Sequence, residues 1–129
     1  MFTLENIIDA HAQFTGPDFP KLIVRFKEIG MVKNHVDILA GQVIYRDKTD
    51  SVIVNQGYQV KGTLADLVEL KQAKNDLQTH QAGQTDFPTF CEDMAKSGIV
   101  GWVIDLEEMT CSYLNKDEQA VLVENIPTV

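Results

Sequence analysis

The sequence repeats itself at a fixed distance, and that constrains its fold more than any other feature. Asp18 to Val54, DFPKLIVRFKEIGMVKNHVDILAGQVIYRDKTDSVIV, aligns without a gap on Asp86 to Leu122, DFPTFCEDMAKSGIVGWVIDLEEMTCSYLNKDEQAVL, 68 residues further on. Asp18/Asp86, Phe19/Phe87, Pro20/Pro88, Gly30/Gly98, Val32/Val100, Asp37/Asp105, Tyr45/Tyr113 and Lys48/Lys116 are identical pairs. Apolar residues also face apolar ones at Leu22/Phe90, Phe26/Met94, Met31/Ile99, Val36/Ile104, Ile38/Leu106 and Ile53/Val121. The matches fall on structural punctuation, so whatever one copy forms the other is expected to form as well.

Each copy reads as a helix followed by three strands. Asp18 and Asp86 suit an N-cap, where a carboxylate accepts the free backbone N–H groups and meets the positive end of the helix dipole. The following prolines fall in the first turn, where a missing N–H costs nothing. Leu22, Phe26 and Ile29, and Phe87, Phe90 and Met94, have helical spacing. Gly30 and Gly98 suit the left-handed position just past a helix, with Met31 or Ile99 as the closing apolar contact. Strand patterns follow at Val36 to Leu39 and Trp102 to Leu106, then at Gln42 to Tyr45 and Met109 to Tyr113. Third strands fit Ser51 to Val54 and Ala120 to Val123. The short polar turns between them predict antiparallel meanders. Tyr58 to Lys61 is a candidate extra strand between the copies.

A further helix is expected before each copy, outlined by Leu4, Ile7, Ile8 and His11, and by Leu64, Leu67, Val68, Lys71 and Leu77. The unit is then helix, helix, three strands, spanning about residues 4–61 and again about 64–127. Half a chain of 129 residues is too small to bury a stable core alone. The expectation is one α+β domain over residues 1–129, an antiparallel sheet with helices packed on it, a pseudo-twofold relation and a shared core.

Charge narrows the function. The net −8 lies wholly in the second half: residues 1–62 hold seven basic and seven acidic side chains, residues 63–129 four and twelve. Binding to a nucleic-acid backbone needs clustered Lys and Arg, so no nucleic-acid partner is expected. The start, MFTLENIIDAH, lacks a basic region and carries Glu5 and Asp9, unlike a signal peptide. No apolar run reaches the roughly 18 residues of a membrane span, so no membrane partner is expected. Without an export signal, two cysteines read as free thiols in a reducing cytoplasm.

The chemistry-bearing residues each have a plainer reading beside the functional one. Cys91 stands where the first copy has Ile23, and Cys111 where it has Val43. A position that accepts isoleucine or valine asks for a small apolar body, so both are read as core. His11, His35 and His80 share no ligand spacing. His80, like His11, suits a helix end, bonding last-turn carbonyls, and is also a candidate binding residue. Asp37 and Asp105 are carboxylates between apolar strand neighbours. They are either solvent-facing or a pair that the symmetry brings together for acid/base chemistry or a cation. Tyr45 and Tyr113 are amphipathic strand residues that could line one groove. Trp102, whose counterpart is Asn34, is either extra core or a binding anchor. No zinc motif, phosphate-cradling glycine loop or nucleophile elbow is present, so neither a metal nor a cofactor is expected.

One resemblance emerges from these residues. HQAGQTDFPTFCEDMAKSGIVGWVIDLEEMTCSYLNKDEQAVLVENIP, with the earlier AHAQFTGPDFPKLIVRFKEIGM, resembles the YbcV-like family of small bacterial and prophage-associated proteins of unknown function. Some of its members carry the label phage envelope protein. The resemblance implies an α+β single domain of bacterial or prophage origin and carries over no catalytic residue. Two classes of function stay open. One is a non-enzymatic interaction module with an unknown protein partner or a homodimeric state. The other is a small enzyme or small-molecule-binding protein with its site at the seam between copies, drawing on Asp37, Asp105, Tyr45, Tyr113 or His80.

Overall fold

The computed structural model describes residues 1–14 and 18–126, so the expected end of the second repeat at residue 127 lies outside the described residues. Four helices and six strands follow in the order α1 (Leu4–Gln13), α2 (Phe19–Glu28), β1 (Met31–Asp37), β2 (Gln42–Asp47), β3 (Val52–Gln56), α3 (Leu70–Gln81), α4 (Phe87–Lys96), β4 (Gly101–Asp105), β5 (Thr110–Leu114) and β6 (Ala120–Asn125). The strands form one sheet ordered β3-β2-β1-β4-β5-β6, with every neighbouring pair antiparallel. The fold is α+β, and the helix-helix-three-strand unit occurs twice.

The repeat distance survives into backbone detail. Among the described residues, six of the seven in the left-handed region fall in pairs 68 apart, Gly30 and Gly98, Gly41 and Met109, Asp50 and Glu118, with Gly83 the seventh. The two copies meet at β1 and β4, where His35 faces Val103, its own equivalent 68 positions on. The flanking bonds are reciprocal, Ile38 N–H donating to Val100 O at 3.1 Å and Leu106 N–H to Val32 O at 2.9 Å. These two bonds exchange places under a half-turn about the His35/Val103 pair, which defines a local pseudo-twofold axis normal to the sheet.

Alternation along the strands turns one sheet face toward the helices. Asn34, Val36, Tyr45, Trp102, Ile104, Cys111 and Tyr113 are buried on that side, in one cluster with Ile7, Leu22, Ile23 and Phe26 from α1 and α2 and Leu77, Phe90 and Met94 from α3 and α4. Helix amphipathicity accounts for this one-sided layer, since each helix buries a single stripe. Both cysteines lie in the core and are free.

Helix ends follow the sequence chemistry in one copy more closely than in the other. Asp86 caps α4, its Oδ1 accepting from Thr89 N–H at 2.8 Å. Asp18 stands at the same place before α2 but makes no side-chain cap bond, because its own backbone is not extended there (φ −86°, ψ 13°) and its carboxylate lies instead 3.8 Å from Lys21 Nζ. At the other end of α4 both bonds of a Schellman motif form. Gly98 N–H donates to Ala95 O and Ile99 N–H to Met94 O, with Gly98 at φ +85°.

Three expectations are corrected. The first strand runs from Met31 to Asp37, so Ile38 and Leu39 of the expected Val36 to Leu39 strand lie in the turn that Asp37 closes. Leu64, Leu67 and Val68 belong to an irregular connection, and α3 begins only at Leu70. Their apolar spacing serves docking rather than a helix: Ala65 N–H donates to Ala95 O and Glu69 N–H to Ser97 O, both at 3.0 Å, satisfying carbonyls at the end of α4. Tyr58 to Lys61 forms no strand. It runs past the β1–β2 turn with two bonds, Val60 N–H donating to Ile38 O at 2.9 Å and Gln59 Nε2 to Leu39 O at 3.1 Å, and is then pinned by Glu92 of α4. The Glu92 carboxylate accepts from Tyr58 O–H at 2.6 Å and from Lys61 and Gly62 N–H at 2.9 Å each.

Candidate functional site

The two aspartates of the repeat do the same local job at opposite ends of the seam. Asp37 Oδ1 accepts from Leu39 and Ala40 N–H at 3.0 Å each, and Asp105 Oδ1 from Glu107 and Glu108 N–H at 3.0 and 2.9 Å. Each carboxylate closes the turn that leaves its strand, as aspartate side chains do when they mimic a backbone turn. The register sets Asp37 opposite Gly101 and Asp105 opposite Lys33, so the half-turn carries one to the other without bringing them together. The same device recurs one turn later, where Asp47 Oδ1 accepts from Thr49 and Ser51 N–H and Asn115 Oδ1 from Asp117 and Gln119 N–H.

Three of the remaining candidates do meet. His80 stacks on Phe90 with ring centroids 4.2 Å apart and planes 11° from parallel. Phe90 lies 5.2 Å from Trp102, and Trp102 lies 6.0 Å from Tyr113. His80 is held by Thr85 in the α3–α4 connection, its Nδ1 lying 3.1 Å from both the carbonyl and the hydroxyl oxygen. It therefore clamps that connection rather than bonding the last carbonyls of its own helix. Trp102 is buried and fills the core of the second copy. Tyr45 sits three strands from Tyr113, roughly 14 Å at ordinary strand spacing, with its hydroxyl 3.5 Å from His11 Nε2.

Electrostatics give these buried groups little to work with. Burial pushes the Cys91 and Cys111 thiols up to about 12, leaving neither as a thiolate at neutral pH. Burial also raises Tyr45 to about 12 and Tyr113 still further, and lowers His11. Among the described residues no group of three His, Cys, Asp or Glu side chains could hold a metal ion. Two open depressions are polar-lined: one between α1 and α2 beside Asp9, Arg25 and Glu28, the other at the sheet edge beside Gly41, Gln42 and Gln56.

Among the described residues no helix lies on the second face of the sheet. Its central row crosses all six strands as Val54, Ile44, His35, Val103, Ser112 and Val123, each facing the next across a strand pair. Val54 and Val123 at the two edges are 54% and 55% exposed. The charged strand residues of this face are Lys33, Arg46, Asp37 and Asp105, two of each sign, on a chain of net charge −8. Sequence patterning contained this stripe, because each residue alternates with neighbours turned to the helix-covered side. Without knowledge of which strands adjoin, it could not be seen as continuous.

No helix among the described residues is long and apolar enough to cross a membrane. Residues 9–125 match the family described as a protein of unknown function, DUF1398. An uncharacterized protein of Mycobacterium bovis is 28% identical over 107 residues, covering 81% of this chain and 64% of the relative. Uncharacterized proteins of two Mycobacterium tuberculosis strains match with the same identity and coverage. The chain thus spans less than two thirds of the length of these relatives.

Proposed function

Since the chain belongs to the DUF1398 family, whose description assigns no activity, we propose that it is a non-enzymatic interaction module acting through the open face of its sheet. The observation that carries this reading is the continuous row from Val54 to Val123, apolar at four of its six positions and uncovered by any helix among the described residues. An exposed apolar stripe with a polar surround is the usual character of a protein-contact surface. The enzymatic alternative draws less support. At the seam the covered side is filled by Trp102, and Asp37 and Asp105 are committed to turns.

Within this reading the chain is a single domain of two repeats, about residues 4–61 and 64–127, derived from one ancestral unit. The identities at a constant separation of 68 and the matched left-handed positions support the duplication. The setting is cytoplasmic, consistent with two free buried thiols. A bacterial, prophage-associated origin follows from the resemblance to YbcV-like proteins.

The test is site-directed photo-crosslinking in cells that express the chain naturally. A photoreactive residue at Val54 or Val123 is expected to give protein adducts, while one at the exposed Ile8 of α1 gives none. Adducts from Ile8 alone, or from no position, would contradict the reading.

A further inference from the structure

We propose that the open face pairs with the same face of a second copy of this chain, sheet on sheet, about a twofold axis. The inference rests on the interaction-module reading and names its partner. Charge complementarity favours this partner, and the internal symmetry makes that complementarity unusually restrictive.

A closed dimer of facing sheets has its twofold axis in the plane between them, and near-aligned packing sets that axis either along the strands or across them. With the axis along the strands through the His35/Val103 pair, β1 lies over the second copy's β4. Lys33 then meets the second copy's Asp105, Asp37 meets a glycine, and Arg46 meets a threonine. Across the strands, β1 lies over the second copy's β1, and Lys33 meets the second copy's Asp37. Asp105 then meets the glycine and Arg46 a glutamine. These juxtapositions follow from the register alone, in which Lys33 faces Asp105, Asp37 faces Gly101, Arg46 pairs with Lys33, Gln42 with Asp37 and Thr110 with Asp105. Neither arrangement sets like charges against each other, and both make the Lys–Asp contact twice. Lys33, Asp37 and Asp105 flank the axis, so the contact withstands the ~30° rotation usual between packed sheets.

The other acidic strand residues, Asp47 and Glu124, alternate onto the helix-covered side, and the rest of the acidic excess sits in helices, turns and connections. Two copies of a protein carrying −8 can therefore approach through the one sheet surface whose strand charges cancel. Its footprint, roughly 30 Å by 15 Å from strand spacing and rise, falls at the small end of specific interfaces. The dimer is accordingly reversible and concentration-dependent.

Sedimentation velocity on the full chain tests this over about 1 μM to about 1 mM. The parent is expected to pass from monomer to dimer within that range. Lys33→Glu and Val54→Lys, both at exposed positions, should each move the midpoint upward by at least about tenfold. Lys27→Glu on the exposed side of α2 should leave it in place. Far-UV circular dichroism confirms that each variant is folded. A parent that stays monomeric throughout, or a dimer indifferent to Lys33→Glu and Val54→Lys, overturns the inference. If the parent is monomeric while Val54 crosslinks to a different protein in cells, this inference falls and the interaction-module reading stands.

Discussion

The two copies share a backbone and differ in how they fill it. In the first, Tyr45 and Phe26 pack with His11, and the position beside the seam holds Asn34, buried with its Oδ1 unpartnered among the described residues. In the second, the equivalent of Asn34 is Trp102, which gathers Phe87, Phe90 and Tyr113 around it while His80 stacks behind. Connections differ in the same direction. Glu92 of α4 anchors the segment that joins the copies, whereas its counterpart Val24 lies exposed on α2. Backbone geometry is thus held in common, while aromatic packing and anchoring are concentrated in the second copy. The turns and the helix-closing glycines are matched more strictly between the copies than the residues between them.

That asymmetry predicts unequal responses at equivalent positions. The largest belongs to Trp102→Ala, which should cost about 3–5 kcal/mol by emptying the centre of the aromatic cluster. Its mirror change, Asn34→Leu, should instead raise stability by roughly 1 kcal/mol, because it removes a buried oxygen with no partner. Urea denaturation of the two variants measures both, and a loss at Asn34 as large as that at Trp102 would break the comparison.

Next come the two helix-closing glycines. Both have positive φ, so alanine at either should cost about 1–2 kcal/mol in backbone strain. A Cβ on Gly30 meets nothing within 4 Å, but one on Gly98 would lie 2.9 Å from Leu67 O and 3.0 Å from Val68 Cα. Gly98→Ala should therefore add an overpacking cost of roughly 1–3 kcal/mol that Gly30→Ala lacks. Equal thermal midpoints would show that the connection over Gly98 is not tightly packed.

The smallest effect separates the two cap aspartates. Asp86→Ala should lower the denaturation midpoint and Asp86→Asn should largely restore it, since asparagine keeps the accepting oxygen. Asp18→Ala should stay near the parent. The Thr89 hydrogen bonds hold the Asp86 carboxyl below the usual carboxylate range. A carboxyl lowered in the folded state stabilises above its unfolded value, about 3.9, and loses that contribution as pH falls through the folded value. The gap between parent and Asp86→Ala should thus be full at pH 7 and shrink below about pH 4. A gap that persists unchanged in acid would assign it to something other than the charged cap.

Much of the fold was legible because it is written in local punctuation. Gly30 and Gly98, the DFP helix starts and the polar turns all state a backbone conformation at the residue itself. Cys91 and Cys111 were legible as core through their counterparts Ile23 and Val43. The failures lie where the meaning depends on a distant partner. Leu64, Leu67 and Val68 have helical spacing, yet the carbonyls of Ala95 and Ser97 claim this segment's backbone instead. Asp18 matches Asp86 in sequence and diverges in backbone angle. The candidate site was least visible, because its apolar row exists only once β1 is placed beside β4. Those strands are separated by the whole of the intervening repeat, and no local pattern states their pairing.

The pairing at that seam is the central claim, and a cysteine pair tests it directly. His35 and Val103 face each other as a non-hydrogen-bonded antiparallel pair, flanked by the Ile38–Val100 and Leu106–Val32 bonds. Their Cα atoms are then about 4.5 Å apart, within the range a disulfide spans. The double variant His35→Cys/Val103→Cys should oxidise to an intrachain disulfide with the native circular dichroism spectrum retained, while the buried Cys91 and Cys111 stay reduced. Failure to form that bond in the folded chain, with His35→Cys/Ile104→Cys forming one instead, would place the seam in another register and contradict the twofold relation between the copies.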